Sequence, residues 1–215
     1  MSQPQQSEAT RRNAFWRRRF ETTTFNSDRW LQKAFDLFES AKLFDASISA
    51  VWESSRARHR GEIVPPAQDH YQGAHFMLLS FAVENILKAA IVQRNRRQFL
   101  LDFDDVLAAG KNSRKGFPEA LKSHDLYELA TTADLSLKEG EEDLLRRLTR
   151  CAEWAGRYPS PLRYEDMSNA EQYADGETYS LSCFRGNDVE RLKSFIRALP
   201  SRLGLSTRSW NEANP

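Results

Sequence analysis

Cysteine is almost missing from this chain of 215 residues, with only Cys151 and Cys183 present. Two thiols with no histidine or further cysteine at ligand spacing build neither a disulfide framework nor a zinc site. The composition therefore points to a reducing, cytoplasmic setting in which both are ordinary thiols. Charge of one sign is lacking too. The 31 basic residues are matched by 30 acidic ones, which removes any whole-protein field and leaves electrostatic function to local clusters. No uninterrupted apolar run approaches the roughly 20 residues that cross a bilayer; the best stretch, Phe76–Val92, is broken by Ser80, Glu84, Asn85 and Lys88. The first residues place Arg11, Arg12, Arg17, Arg18 and Arg19 around Phe15, Trp16 and Phe20, in place of the apolar core of a secretory signal. No membrane partner is expected.

The usual catalytic signatures are absent as well. There is no G-x-G-x-x-G or G-x-x-x-x-G-K-S/T loop to cradle phosphates, no G-x-S-x-G elbow, and no Glu-x-x-His pair for a carboxylate-bridged metal centre. The four histidines are His59, His70, His75 and His124. His70 and His75 are five apart, off the three- or four-residue spacing of helix-borne metal pairs. Neither a metal nor a cofactor is expected.

What is present is helical periodicity. Ser27 and Asp28 are good helix starters, and Trp30, Ala34, Leu37, Phe38, Ala41, Phe44, Ile48, Val51 and Trp52 keep three- and four-residue spacing until Gly61, Pro65 and Pro66 interrupt it. A second long helix is predicted from about Asp69 to Arg94, with Phe76, Leu79, Val83, Ile86, Leu87, Ala90 and Ile91 in a broad stripe. A connection of about 10 residues folds the two into an antiparallel hairpin, because neither apolar face is stable alone in water. Short pieces follow over 104–109 and 118–122, then helices over 124–131 and 141–155. Residues 157–186 read as irregular, with an Asp175–Gly176 turn and a short strand within 178–184, and a last helix runs from about 187 to Pro200. The prediction is an all-α antiparallel bundle around two long helices: a single domain over 27–205, between a flexible basic tail over 1–26 and a flexible tail over 206–215.

Several charged residues stand out against this frame. Glu84 and Lys88 lie four apart within the most apolar helix. A surface ion pair is the ordinary explanation, and a polar pocket between helices is the functional one. His124 and Asp125 open a helix, where Asp125 caps free amides; His124 with Glu128 on the same face is the acid–base alternative. Arg56, Arg58 and Arg60, and Arg94, Arg96 and Arg97, close the two predicted long helices, where cations complement exposed carbonyls. Phosphate contact with RNA is their functional alternative, and the basic, aromatic N-terminus shares it.

The segment Ala74–Ala89, ending in Glu84-Asn85-Ile86-Leu87-Lys88-Ala89, resembles the second helix of HEPN (higher eukaryotes and prokaryotes nucleotide-binding) proteins, which often carries E-x-x-L-K-A. Ser123-His124-Asp125-Leu126-Tyr127-Glu128-Leu129 is similar to their H-D-L-x-x-L segment, and Arg157-Tyr158-Pro159 to an R-Y-P ending. In this order the three cover about residues 28–165. The resemblance implies a bundle of about four to five helices, homodimerisation, and roles in RNA metabolism, toxin–antitoxin systems, stress or phage defence. Catalytic members carry an Arg followed after four to six residues by His, and no arginine here stands at that distance before any histidine. The expectation is a noncatalytic binding or regulatory protein whose ligand is RNA, a nucleotide or a protein, with Glu84, Lys88, Arg94, Arg96 and Arg97 as binding residues. One alternative is a metal-independent ribonuclease using His124, Arg157 and Glu84. Another is a structural interaction module that uses the aromatic-rich first helix as a partner surface, against the reading of Trp30, Phe38 and Trp52 as core residues.

Overall fold

The computed structural model describes residues 8–65, 67, 71–111, 113–155, 171–172, 179–180 and 188–206. Seven α-helices are present among them: α1 Glu8–Thr24, α2 Ser27–Lys42, α3 Asp45–His59, α4 Gln72–Ala108, α5 Leu126–Thr132, α6 Glu141–Arg150 and α7 Asp188–Arg202. The fold is an all-α helical bundle. Among the described residues the one strand pair is Glu171–Gln172 (β1) with Tyr179–Ser180 (β2), antiparallel with Glu171 opposite Ser180. The rest of the expected irregular segment, its Asp175–Gly176 turn and the expected tail over 207–215 lie outside the described residues.

Helix α4 is the central rod. Its 37 residues take the place of the predicted helix over 69–94 and the short piece over 104–109. The arginines that were expected to end it continue it instead, because no glycine or proline follows until Gly110 and Phe99 and Phe103 extend the apolar side. Helix α2 lies antiparallel along α4: Phe25 faces Arg96, Trp30 faces Lys88, and Phe44 stacks on Tyr71. Leu31, Ala34, Phe38 and Ala41 are thereby buried against Leu79, Val83, Ile86, Leu87 and Ala90. The small alanines let the two backbones approach, and the larger side chains fill the remaining volume.

The first long helix of the sequence reading is two. Helix α2 stops at Lys42, Leu43 is 83% exposed, and α3 restarts at Asp45. No glycine or proline marks this break, and the apolar spacing runs through it. What holds it is tertiary: Phe44 stacks on Tyr71 with ring centroids 5.3 Å apart, and Asp45 is drawn towards His75 and Lys193.

The other helices close around α4. Helix α5 runs parallel to it, with His124 near Glu84 and Ala133 near Arg94. Asp125 caps α5 by accepting from the amides of Tyr127 at 2.8 Å and Glu128 at 3.0 Å, which satisfies two donors that a helix start leaves open. Helix α6 ends in a single π-turn, Cys151–Ala155, where a helix was expected to continue unbroken. It lies antiparallel to α7, held by Arg202 on Glu141 at one end and the buried Arg147–Asp188 pair at the other. Helix α7 runs through Pro200 to Arg202. An 18-residue window of α4 has a mean hydropathy of 1.5, and 78% of that window is buried inside the bundle. Its apolar character is that of a core helix.

Residues 8–24 form a helix rather than the tail expected from the sequence. Phe20 stacks on Phe103 at 5.0 Å, Phe25 meets Phe99 and Phe103, and Arg17 bridges to Asp104 at 2.6 Å. These contacts run α1 antiparallel to the distal half of α4. The aromatic cluster supplies the burial that a polar, arginine-rich segment lacks by itself.

Candidate functional site

Besides the Arg147–Asp188 pair that ties α6 to α7, two groups of polar residues converge in the interior of the described structure and a third lies on its surface. The first is built on Glu84. Its helix turn faces α5, and the side chain is 8% exposed. Lys88 Nζ donates to Glu84 Oε1 at 2.7 Å with its own side chain 4% exposed, and Nζ lies 5.9 Å from the centre of the Trp30 ring. His124 Nδ1 lies 3.1 Å from Glu84 Oε2. The pair expected as a surface feature is thus buried, and His124 pairs with Glu84 across 40 residues rather than with Glu128. Glu128 accepts instead from Ser123 at 2.6 Å. Both Glu84 oxygens are engaged, one by an ammonium and one by an imidazole. These two contacts offset the cost of burying the carboxylate within the fold. The His124 ring is 61% exposed, so it reaches solvent from its contact with the buried carboxylate.

The second group was not legible in the sequence. His75 is fully buried, and its Nε2 lies 3.3 Å from Asp45 Oδ1. Lys193 Nζ donates to Asp45 Oδ2 at 2.7 Å and lies 3.5 Å from Glu190. The pairing spans 30 residues in one direction and 148 in the other, so no local motif announces it. Burial pushes the His75 pKa down, against an opposing pull from Asp45. The neutral ring therefore donates from Nε2, and Nδ1 has no hydrogen-bond partner.

The surface group centres on the three arginines of α4. Sequence reasoning placed Arg94, Arg96 and Arg97 as a cap on their own helix. Arg94 and Arg96 do act on helix ends, but on those of the neighbours. Arg96 Nε donates at 2.8 Å to the carbonyl of Phe25, just past the end of α1, and Arg94 donates to the carbonyl of Ala133 at the end of α5. Each guanidinium thus satisfies an orphan carbonyl of another helix while keeping further N–H groups for a ligand. Arg94, Arg96 and Arg97 line a surface groove of about 420 Å³ with Gln93 and Leu101, and Asp104 closes it beside Arg17.

Arg157 and His70 lie outside the described residues. The structure therefore brings His124 to Glu84 and Lys88, but says nothing of Arg157. Among the described residues no three His, Cys, Asp or Glu side chains are grouped to hold a metal ion. No protein-family model matches the chain, and neither a curated protein nor a solved structure matches it significantly.

Proposed function

We propose that this chain is a noncatalytic, HEPN-like RNA-binding protein whose ligand surface is the arginine groove on α4. The observation that carries the reading is the groove itself. Three arginines lie within one turn of a single helix, two of them oriented by backbone carbonyls and Arg97 exposed. Guanidinium groups fixed this way lose little freedom on meeting a phosphate and offer paired N–H groups to its oxygens. The order of the E-x-x-L-K-A and H-D-L-x-x-L segments, and the contact between their Glu84 and His124, support the family part of the proposal. Homodimerisation belongs to the same proposal, and sedimentation that finds only monomer at high micromolar concentration contradicts it.

The test is a salt titration of binding to a labelled RNA. Phosphate contacts give a log–log slope of about −0.7 for each one lost to salt on a single strand, so contacts from the groove predict a slope near −2. Absence of binding at low salt sinks the reading.

A ribonuclease is the second reading, and the His124–Glu84 contact favours it, since a carboxylate that orients an exposed imidazole is the arrangement of a general base. RNA incubated with the protein and a metal chelator separates the two. The noncatalytic reading expects intact RNA. Cleavage that disappears in His124→Ala establishes the other.

A further inference from the structure

The N-terminal helix carries a second surface. At about 100° per residue, Arg11, Arg12, Phe15, Trp16, Arg18 and Arg19 fall within about 160° of the circumference of α1, with Glu8 among them at the helix start. All six are exposed, and Phe15 and Trp16 are each 58% exposed. Their rings meet edge to face, with centroids 5.1 Å apart and planes at 74°. The inward side of the same helix is already satisfied, with Phe20 stacked on Phe103 and Arg17 bonded to Asp104. Two large rings left in water beside four cations are therefore not a by-product of packing.

We infer that this face of α1 binds unpaired nucleotides, with Phe15 and Trp16 stacking on bases while Arg11, Arg12, Arg18 and Arg19 contact the backbone phosphates. The inference rests on the RNA-binding reading and deepens it by naming single-stranded RNA as the preferred class. Three features favour this occupant. Aromatic rings interleaved with cations match a strand that presents a base and a phosphate at every step, and base stacking on exposed rings tolerates any sequence. A duplex hides its base faces and offers only phosphates. A membrane-surface helix needs an apolar face separate from its cationic one, whereas here the rings are flanked by arginines and Phe20 points inwards.

The experiment compares the full chain with Phe15→Ala/Trp16→Ala and with Arg94→Gln/Arg97→Gln. Fluorescence anisotropy is read on a 20-nucleotide uridine RNA and on a blunt RNA duplex of equal length, and co-sedimentation on vesicles containing phosphatidylserine. Both aromatic positions are exposed, so circular dichroism should match the parent. Removing the two rings is expected to weaken single-strand binding at least about tenfold, leaving duplex binding and the salt slope unchanged. Parent-like single-strand affinity in that variant overturns the inference, while the groove reading survives if Arg94→Gln/Arg97→Gln is weakened. An equal loss on strand and duplex also overturns it, because it shows that the rings do not read unpaired bases. Vesicle binding that the aromatic variant loses, with its RNA affinity unchanged, assigns the face to a membrane instead.

Discussion

Helix α4 changes character at Gln93. Between Ala82 and Val92 every residue but Asn85 is buried; beyond that point only Phe103 is. Both halves carry charge, and the two halves treat it differently. In the buried half, Glu84 and Lys88 are enclosed and must satisfy each other, because a lone charge there meets little water. In the exposed half, Arg94, Arg96 and Arg97 are bound to neighbouring helix ends or face solvent, and their remaining donors are available to an anion. Charge within a predicted helix marks a ligand site only once its exposure is known. The residues most conspicuous in the sequence, Glu84 and Lys88, are the ones already neutralised within the fold.

The two halves should differ most in stability. Glu84→Ala leaves the Lys88 ammonium buried without its partner and should cost about 3–5 kcal/mol in urea unfolding. Replacing both, as Glu84→Leu/Lys88→Met, removes the charge altogether and should recover most of that loss, because burying an apolar pair avoids the desolvation of two ions. A double variant as unstable as the single one would show that the pair does more than balance itself.

A smaller effect comes from pH. Burial holds the His75 imidazole below its ordinary value of about 6.5, so the unfolded chain accepts a proton that the folded chain resists. Stability is then full above that value and declines as pH falls through it, until the folded imidazole itself titrates. His75→Leu should flatten the decline between pH 7 and 5. The Glu141 carboxyl, which burial pushes up, is held below its usual range overall by Arg202 and the Lys138 amide. Its contribution is present above the ordinary carboxylate range and is lost only at more acidic pH.

The smallest stability effect belongs to the exposed half. Arg97→Gln should lie within about 0.5 kcal/mol of the parent in urea unfolding, because its side chain is exposed on the groove wall. A larger loss would make Arg97 part of the scaffold.

Much of the architecture could be read from apolar spacing, since the α2–α4 hairpin, α6 and α7 each bury one stripe. The misplaced boundaries have one cause in common, which is contact between distant parts of the chain. The break at Leu43–Phe44 depends on Tyr71, His75 and Lys193, the continuation of α4 past its arginines on Phe25 and Phe103, and the helicity of residues 8–24 on the same aromatic cluster. Of the candidate site, Glu84, Lys88 and His124 were legible as types, and their convergence followed from α5 lying beside α4. Asp45 and Lys193 were not, because only the fold brings them to His75. The arginines were legible as helix-end groups, though which helix ends they serve is a matter of packing.

The measurement that tests the central claim most directly is the RNA affinity of Arg94→Gln/Arg97→Gln beside the parent, at one low salt concentration and with unfolding midpoints measured in parallel. If the exposed half of α4 is the ligand surface, affinity falls while the double variant remains folded, and the salt slope becomes shallower by about 0.7 for each contact removed. Parent-like affinity and slope in a folded variant would contradict it.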